Sequence, residues 1–428
     1  MIAVANRRPD ATVWVGTRDT KDLQPPIMTP HKWQFASRFR RHAFGWRSDA
    51  PIQRIKEALA EIKRVARTEP VLAAEGAITL LETLSPALEQ VDSSSGALGT
   101  AVNRAIETLV PIIAQADVEP GIRQRWLARL WQAVQDDDMP YIDSLGEHWD
   151  VLCARPQIAL TWVDEFLPLV EHAWSPRALG HGFFKGTAAC LAALYAAGRY
   201  EQLLALLERS PFKWWHDRRW GVKALAALGK PAEAVHYAEQ SRGPNDPGWQ
   251  IAQACEAILL ASGMIEEAYR RYAIEANQTT TQLATFRAIA KKYPNTPAER
   301  ILRDLAASTP GAEGKWFAAA KEAGQFDLAI EWVTLSPTDP RTLTRAARDF
   351  AQSQPEFAVA AGLASLRWMS VGYGYDLTGV DVSDAYAAVI EAASHAGTDS
   401  QRLKSWVEAL MSAPGCHPLL KSVLAPVQ

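Results

Sequence analysis

Apolar residues recur at helical spacing along most of the chain. In the segment 51–67, one stripe consists of Ile52, Ile55, Leu59, Ile62 and Val65. Residues at this spacing lie on one face of an α-helix, and burying that face stabilises the helix. The same pattern predicts further helices over 70–90, 98–115, 121–135, 156–174, 339–352, 356–370, 381–396 and 399–412. The chain is therefore predicted to be all-α.

A longer period marks the second half, where four glycines each separate two predicted helices. They are Gly198, Gly229, Gly263 and Gly324, at intervals of 31, 34 and 61 residues. Glycine readily adopts the left-handed conformation that ends many helices, so each glycine predicts a turn between paired helices. Helix–turn–helix units with a period in the low thirties are typical of tetratricopeptide-like repeats, and the interval of 61 corresponds to about two repeats.

These patterns predict an α-solenoid of tetratricopeptide-like helical hairpins preceded by an irregular helical N-terminal domain. The predicted segments are a flexible tail (1–30), a helical N-terminal domain with a basic first segment (31–175), tetratricopeptide-like repeats (176–338), and C-terminal helical repeats with a cap (339–428). A solenoid suits 428 residues because each repeat packs only on its neighbours. Met28 offers an alternative start, so whether 1–27 belong to the natural protein stays open.

Several segments resemble those of an uncharacterised bacterial family of helical-repeat proteins. They are His31–Arg47, Val91–Ile106, Phe183–Leu194, Trp215–Leu225, Ala268–Thr280, Glu313–Ala323 and Leu343–Phe350. The resemblance covers most of the chain from about residue 31. It implies a helical-repeat fold. Because the family has no assigned activity, it implies no catalytic residue.

Charge and cysteine spacing argue against several classes of function. The net charge of −3 gives no overall preference for nucleic acid or an anionic membrane. The four cysteines have no CxxC spacing, so we expect neither a zinc site nor a redox pair, and reduced thiols fit the cytoplasm. The first sixteen residues lack the apolar core of a signal peptide, and no long uninterrupted apolar run predicts a membrane span.

The most suggestive candidate site is the basic segment 32–67. Its basic residues are Lys32, Arg38, Arg40, Arg41, Arg47, Arg54, Lys56, Lys63, Arg64 and Arg67, and the aromatic residues among them are Trp33, Phe35, Phe39, Phe44 and Trp46. Cations neutralise phosphates and exposed rings stack on unpaired bases, so the segment suggests a nucleic-acid contact. The favoured interpretation is a helical segment whose aromatic residues are packed and whose basic side chains are solvated. Binding of an acidic protein partner is a third interpretation.

A second candidate is Lys213–Trp220, between two predicted hairpins. Arg218 and Arg219 would clamp a carboxylate or phosphate beside His216. The tryptophans of this segment are interpreted as packing between repeats. A structural role is the favoured interpretation, because a neighbouring His–Asp pair without a nucleophile is usually structural.

Two further candidates are basic residues near predicted helices. Lys185 lies in the glycine-rich stretch 180–186, just before a helix whose N-terminus would attract an anion, although a helix cap is the favoured interpretation. Arg270 and Arg271 would give the repeat surface a basic character suited to acidic ligands, together with Lys291 and Lys292.

The predicted function is that of a non-catalytic scaffold which binds an unidentified protein or peptide on the concave surface of its repeats. No motif indicates a catalytic residue, a metal or a cofactor, so we do not expect an enzyme. The alternative is a nucleic-acid-associated factor that contacts phosphates through 32–67.

Overall fold

A computed structural model describes residues 31–175, 182–243 and 246–425. Within these ranges every regular element is a helix and none is a strand, which confirms the all-α prediction. The described residues form two compact units. One comprises 31–173 and 182–198, and the other 174–175 and 199–425 without 244–245. The predicted tail 1–30 lies outside the described residues.

The first unit is built around an apolar central helix. Its helices are α1 (Asp49–Ala66), α2 (Pro70–Leu88), α3 (Ala97–Gln115), α4 (Pro120–Gln135), α5 (Trp149–Cys153), α6 (Pro156–Ala173) and α7 (Thr187–Ala196). α2 forms the centre and packs against α1, α3 and α4. The stripe of α1 turns inward, since Ile55 and Ile62 are fully buried. The sequence did not reveal α5, because a helix of five residues is too short to show a period.

Two helices of this unit, α2 and α3, are long and apolar enough to cross a membrane by length and composition alone. The core helix of a soluble protein passes the same test. Most of the apolar window of α2 is buried inside the unit, where Ile78, Leu81 and Leu84 have no exposed surface. Its hydropathy is therefore explained by its central position in the unit.

The second unit consists of helices that pack mainly on their sequence neighbours. They are α8 (Tyr200–Glu208), α9 (Trp215–Ala227), α10 (Pro231–Glu239), α11 (Gly248–Ala261), α12 (Ile265–Ala276), α13 (Gln282–Lys292), α14 (Ala298–Ala307), α15 (Phe317–Glu322), α16 (Phe326–Leu335), α17 (Pro340–Asp349), α18 (Pro355–Ser370), α19 (Gly379–Ala396), α20 (Ser400–Ser412) and α21 (Pro418–Leu424). One apolar core runs from Trp215 to Ala364, and a second occupies 366–424.

The predicted glycine turns join three helix pairs of this unit: α9 with α10, α11 with α12, and α15 with α16. Gly229, Gly263 and Gly324 have φ values of +74°, +74° and +71°, which favour glycine over any residue with a side chain. Gly198 has the same conformation, but it ends the first unit. The sequence had assigned it to the segment of tetratricopeptide-like repeats that was predicted to begin at residue 176.

The interval of 61 residues between Gly263 and Gly324 has a structural explanation. It contains another helix pair, α13 and α14, whose helices are in contact. Their connection, 293–297, contains no glycine and ends in Pro297, which precedes the first turn of α14. The glycine pattern therefore does not predict the turn between α13 and α14.

Charged bridges connect helices about one period apart in this unit. The pairs are Arg271–Glu239, Arg242–Glu275, Arg300–Glu266, Arg287–Glu322 and Lys292–Glu256, separated by 32 to 36 residues. Each bridge joins a residue of one helix pair, or of the loop that follows it, to a residue at a similar position in the next helix pair. Many basic side chains of the predicted repeat surface are thus bound within the fold.

Candidate functional site

The aromatic residues of the basic segment mostly pack inside the first unit. Trp33, Phe35 and Phe39 are buried, and successive rings from Trp33 through Phe44 are in contact, with centroids 5.4–6.4 Å apart. Trp33 lies so close to α2 that it touches the backbone at Gly76. The buried rings are unavailable for stacking on bases, and among the five aromatic residues of this segment only Trp46, 72% exposed, stands largely in solvent.

Most basic residues of this segment are exposed, and three of them are paired with glutamates, including Arg54, which donates to Glu57 at 2.6 Å. Arg38 donates to Glu57 at 2.6 Å and Arg41 to Glu89 at 3.1 Å. Lys32, Arg40 and Arg47 are exposed. This arrangement agrees with the interpretation in which the aromatic residues are packed and the basic side chains are solvated.

The segment before α9 carries an exposed stack of rings. Phe212 and Trp214 are parallel with centroids 4.4 Å apart, and His216 lies 5.3 Å beyond Trp214. Trp215 and Trp220 are buried, as packing residues should be. The packing interpretation is wrong for Trp214, which is 49% exposed. Trp214 is the extended residue that precedes α9 and Trp215 is the first residue of that helix, so the two side chains have different surroundings.

The predicted clamp of Arg218 and Arg219 does not form. Arg218 is only 6% exposed, and its guanidinium lies 4.1 Å from the centre of the Tyr237 ring. Arg219 Nε donates to the carbonyl oxygen of His216 at 3.1 Å, and the His216 ring lies 3.4 Å from the carboxylate of Asp217. The two guanidinium groups are therefore used separately, because successive helical residues point in different directions.

Lys185 points into the first unit. Its ammonium group donates to the carbonyl oxygen of Asp137 at 2.5 Å and lies 3.7 Å from the carboxylate of Asp143. Burial raises the pKa of the Asp143 carboxyl, although Lys185 opposes that shift. The predicted role in anion binding at the start of α7 is thus replaced by a contact that ties the preceding loop to the 136–143 turn.

The basic pair on α12 is divided between a bridge and solvent. Arg271 donates to Glu239 and to Glu267, both at 2.7 Å, and its pKa is raised, mainly by the bond to Glu267. Arg270 is exposed. Lys292, expected on the same basic surface, donates to the buried Glu256 at 2.7 Å.

One concave feature of the second unit lies between α16 and α18. This α16–α18 groove has a volume of 460 Å³ and is lined by Gly324, Gln325, Phe326, Asp327, Ile330, Gln354, Glu356, Phe357 and Ala360. That volume lies in the range of roughly 300–1,000 Å³ common for binding sites. The groove therefore has room for a side chain or a short stretch of peptide.

The floor of the groove belongs to an aromatic cluster. The ring of Phe326 lies 4.7 Å from that of Phe357 and 5.4 Å from that of Phe350. Phe357 also stacks on Phe317 at 6.0 Å, which anchors the cluster in the core of the unit. The position of these rings follows from their places in the first turns of α16 and α18 and at the end of α17.

The rim of the groove is polar and acidic. Asp327 and Glu356 stand in the first turns of α16 and α18, where the helix dipole favours negative charge. Both side chains are exposed, and neither forms an ion pair or a side-chain hydrogen bond among the residues that the structure describes. Gln325 and Gln354 add amide groups to the same rim.

A smaller depression of 190 Å³ separates α17 from α19. It is lined by Arg341, Thr344, Arg345, Arg348, Asp381 and Asp384. Arg341 forms a bidentate ion pair with Asp381 at 2.7 and 3.0 Å, which holds the pKa of Asp381 well below its usual range. Three arginines and two aspartates line this depression, and the ion pair of Arg341 with Asp381 leaves Arg345 and Arg348 beside Asp384.

Sequence reasoning missed Asp327 and Glu356, because local charge does not show which acidic side chains have a basic partner. The basic partner of Glu266, in the first turn of α12, is Arg300, found 34 residues later. The residue 34 positions after Asp327 is Ala361, so the bridge is absent there. Glu233 in the first turn of α10 also lacks a basic residue 34 positions later, so this absence alone does not locate the groove in the sequence.

The described residues contain no group of three or more His, Cys, Asp or Glu side chains that could hold a metal ion. All four cysteines are buried and unpaired. Burial raises the pKa of the Cys153 and Cys190 thiols to about 12 and that of Cys255 to about 11. A thiol with so high a pKa is a poor nucleophile at neutral pH.

Comparison with known proteins adds no relative. The chain matches no protein-family model, no curated protein and no solved structure. The resemblance to a bacterial family of helical-repeat proteins therefore stays a prediction. Fold and groove define the protein as an all-α chain with a concave, aromatic-floored surface on its second unit.

Proposed function

We propose that the protein is a non-catalytic helical-repeat scaffold whose second unit, a solenoid of tetratricopeptide-like hairpins, binds a partner protein. The observation that carries this proposal is the α16–α18 groove, which combines an apolar floor with unpaired polar groups. Stacked helix pairs present such grooves, and extended peptides are their usual occupants.

The spacing of the bridges supports the repeat architecture. Ion pairs over 32 to 36 residues connect α10 with α12, α11 with α13, α12 with α14 and α13 with α15. A chain in which each helix pair contacts mainly its neighbours produces contacts at this spacing. The low thirties are also the period of tetratricopeptide repeats.

Site-specific photo-crosslinking tests this function. A photoreactive amino acid is placed at Ala360, which lines the groove, and in a matched variant at the exposed Val380 on α19, which does not. In the cells that produce the protein, we expect one reproducible crosslinked protein from position 360 and none from position 380. Recovery of the chain alone and monomeric from both variants would refute the proposal.

Nucleic-acid binding through 32–67 is the alternative function. Its support is the exposed Trp46 and the exposed basic residues of this segment that form no ion pair among the described residues, namely Lys32, Arg40, Arg47, Lys56, Lys63, Arg64 and Arg67. Burial of the remaining large rings favours the scaffold.

A further inference from the structure

We propose that the α16–α18 groove takes an arginine or lysine side chain from an extended segment of the partner protein. This inference rests on the proposed function and adds the chemistry of the partner. It starts from two properties that coincide in one groove, an aromatic floor and two carboxylates that have no basic partner among the described residues.

The floor suits the stem and the head of a basic side chain. Lysine and arginine cover apolar surface with their methylene groups while their charged heads stay near polar atoms. Aromatic faces also attract cations. The cluster already shows this behaviour, since the ammonium group of Lys321 lies 5.7 Å from the centre of the Phe350 ring.

The rim supplies the opposite charge. Asp327 and Glu356 approach the groove from two different helices, and each side chain ends in a carboxylate. A guanidinium or ammonium group between them would donate charge-assisted hydrogen bonds, which are stronger than neutral ones. Phosphate or an acidic peptide would meet repulsion from both carboxylates, so the charge of the rim selects against such ligands.

Neighbouring helix pairs show what is missing here. Between α12 and α14, Glu266 receives a hydrogen bond from Arg300 at 2.5 Å. Between α10 and α12, Glu239 receives one from Arg271 at 2.7 Å. The first turns of α16 and α18 contain two acidic residues and no basic residue. A cation supplied by another molecule would form the corresponding contact in the groove.

The groove is open along its rim, which favours a peptide over an enclosed small molecule. Asp327, Gln354 and Glu356 are all exposed. Their side chains can reach a chain that passes across the surface, and the amide groups of Gln325 and Gln354 can bond its backbone. The predicted ligand is therefore an extended peptide with a central basic residue.

A peptide-display selection tests this inference. A library of short random peptides is selected on the full chain, and enriched peptides are measured by fluorescence polarisation. The key variant is Asp327→Asn with Glu356→Gln, which keeps the shape of the rim and removes its charge. The matched control is Glu331→Gln, an exposed position on α16 outside the groove. Thermal unfolding of each variant checks that the fold is intact.

We expect the enriched peptides to share an arginine or lysine and to bind the double variant about tenfold more weakly or worse, with the control unchanged. Replacing the shared basic residue by glutamine should weaken binding to a similar extent. Enriched peptides that lack a basic residue, or that bind the double variant as well as the natural chain, would overturn this inference and leave the scaffold function standing. If no peptide binds, the inference fails, and the crosslinking experiment then decides the proposed function separately.

Discussion

The packing of Trp33 on Gly76 makes Gly76→Ala a sharp test of how the basic segment is anchored. A Cβ atom at position 76 would lie 2.5 Å from Cε2 of Trp33 and closer still to Cζ2, so the indole ring must leave its site. Trp33 is buried and begins the chain of ring contacts that continues to Phe44. One added methyl group should therefore loosen the segment 33–44.

Two effects of opposite sign determine the magnitude. Alanine is better than glycine in a helix interior by about 1 kcal/mol. Losing the packing of a buried tryptophan costs about 3–5 kcal/mol. The net destabilisation of the first unit should be about 2–4 kcal/mol, which lowers the unfolding midpoint of a unit of this size by roughly 4–16 °C.

Thermal and urea unfolding provide the assay, and Gly99→Ala is the control. Gly99 lies in α3, where an added Cβ meets no atom within 4 Å, so this change should be neutral or slightly stabilising. In a Trp33→Ala background the clash is removed, and Gly76→Ala should become stabilising by about 1 kcal/mol. The reasoning is refuted if Gly76→Ala is equally destabilising with and without Trp33.

Three further predictions concern other parts of the chain. The buried carboxylate of Glu256 accepts hydrogen bonds from Asn277, Lys292 and Tyr293, so Glu256→Ala should destabilise the second unit by about 3–5 kcal/mol and Glu256→Gln by less. Equal urea midpoints for the two variants would contradict this. Burial raises the pKa of the Cys153 and Cys190 thiols to about 12, and thiolate forms only as the pH nears that value, so both should resist iodoacetamide near pH 8 in the folded chain and react in urea. Mass spectrometry measures the modification, and rapid labelling of the native protein would refute the burial of these thiols. The full chain should leave the mobility of a single-stranded oligonucleotide unchanged in a gel shift. Binding that weakens with salt, and that is lost in the double variant Arg40→Glu with Arg47→Glu, would instead support the nucleic-acid hypothesis.

Sequence periodicity predicted most of the long helices because their burial is one-sided. Predicted ranges such as 51–67, 98–115 and 356–370 agree with α1, α3 and α18 within two residues at each end. The same reasoning missed α5 and α14. α5 is shorter than two turns, and α14 follows a proline-containing connection in place of a glycine turn. Periodicity and turn chemistry thus predict helices that are long enough to show an apolar stripe and that are joined by glycine turns.

The candidate site residues were harder to predict, because charge alone does not show what a side chain contacts. Lys185, Arg218 and Arg271 were selected as basic residues, and each is bound within its own unit. Apart from Glu267, four residues before Arg271, their partners lie 19 to 48 residues away in sequence. A search by local composition cannot find partners at such distances, so it overestimates the basic surface that is free to bind ligands.

The α16–α18 groove reverses the charge preference inferred from composition. Counting basic residues suggested a surface for acidic ligands, but the bridges at one-period spacing neutralise much of that charge, and Asp327 and Glu356 are among the described acidic residues that no such bridge reaches. In a repeat protein, a functional position can therefore be sought where a recurring internal bridge is missing. There, the fold presents polar groups that its own side chains do not satisfy, and a partner with the opposite charge gains the most by binding.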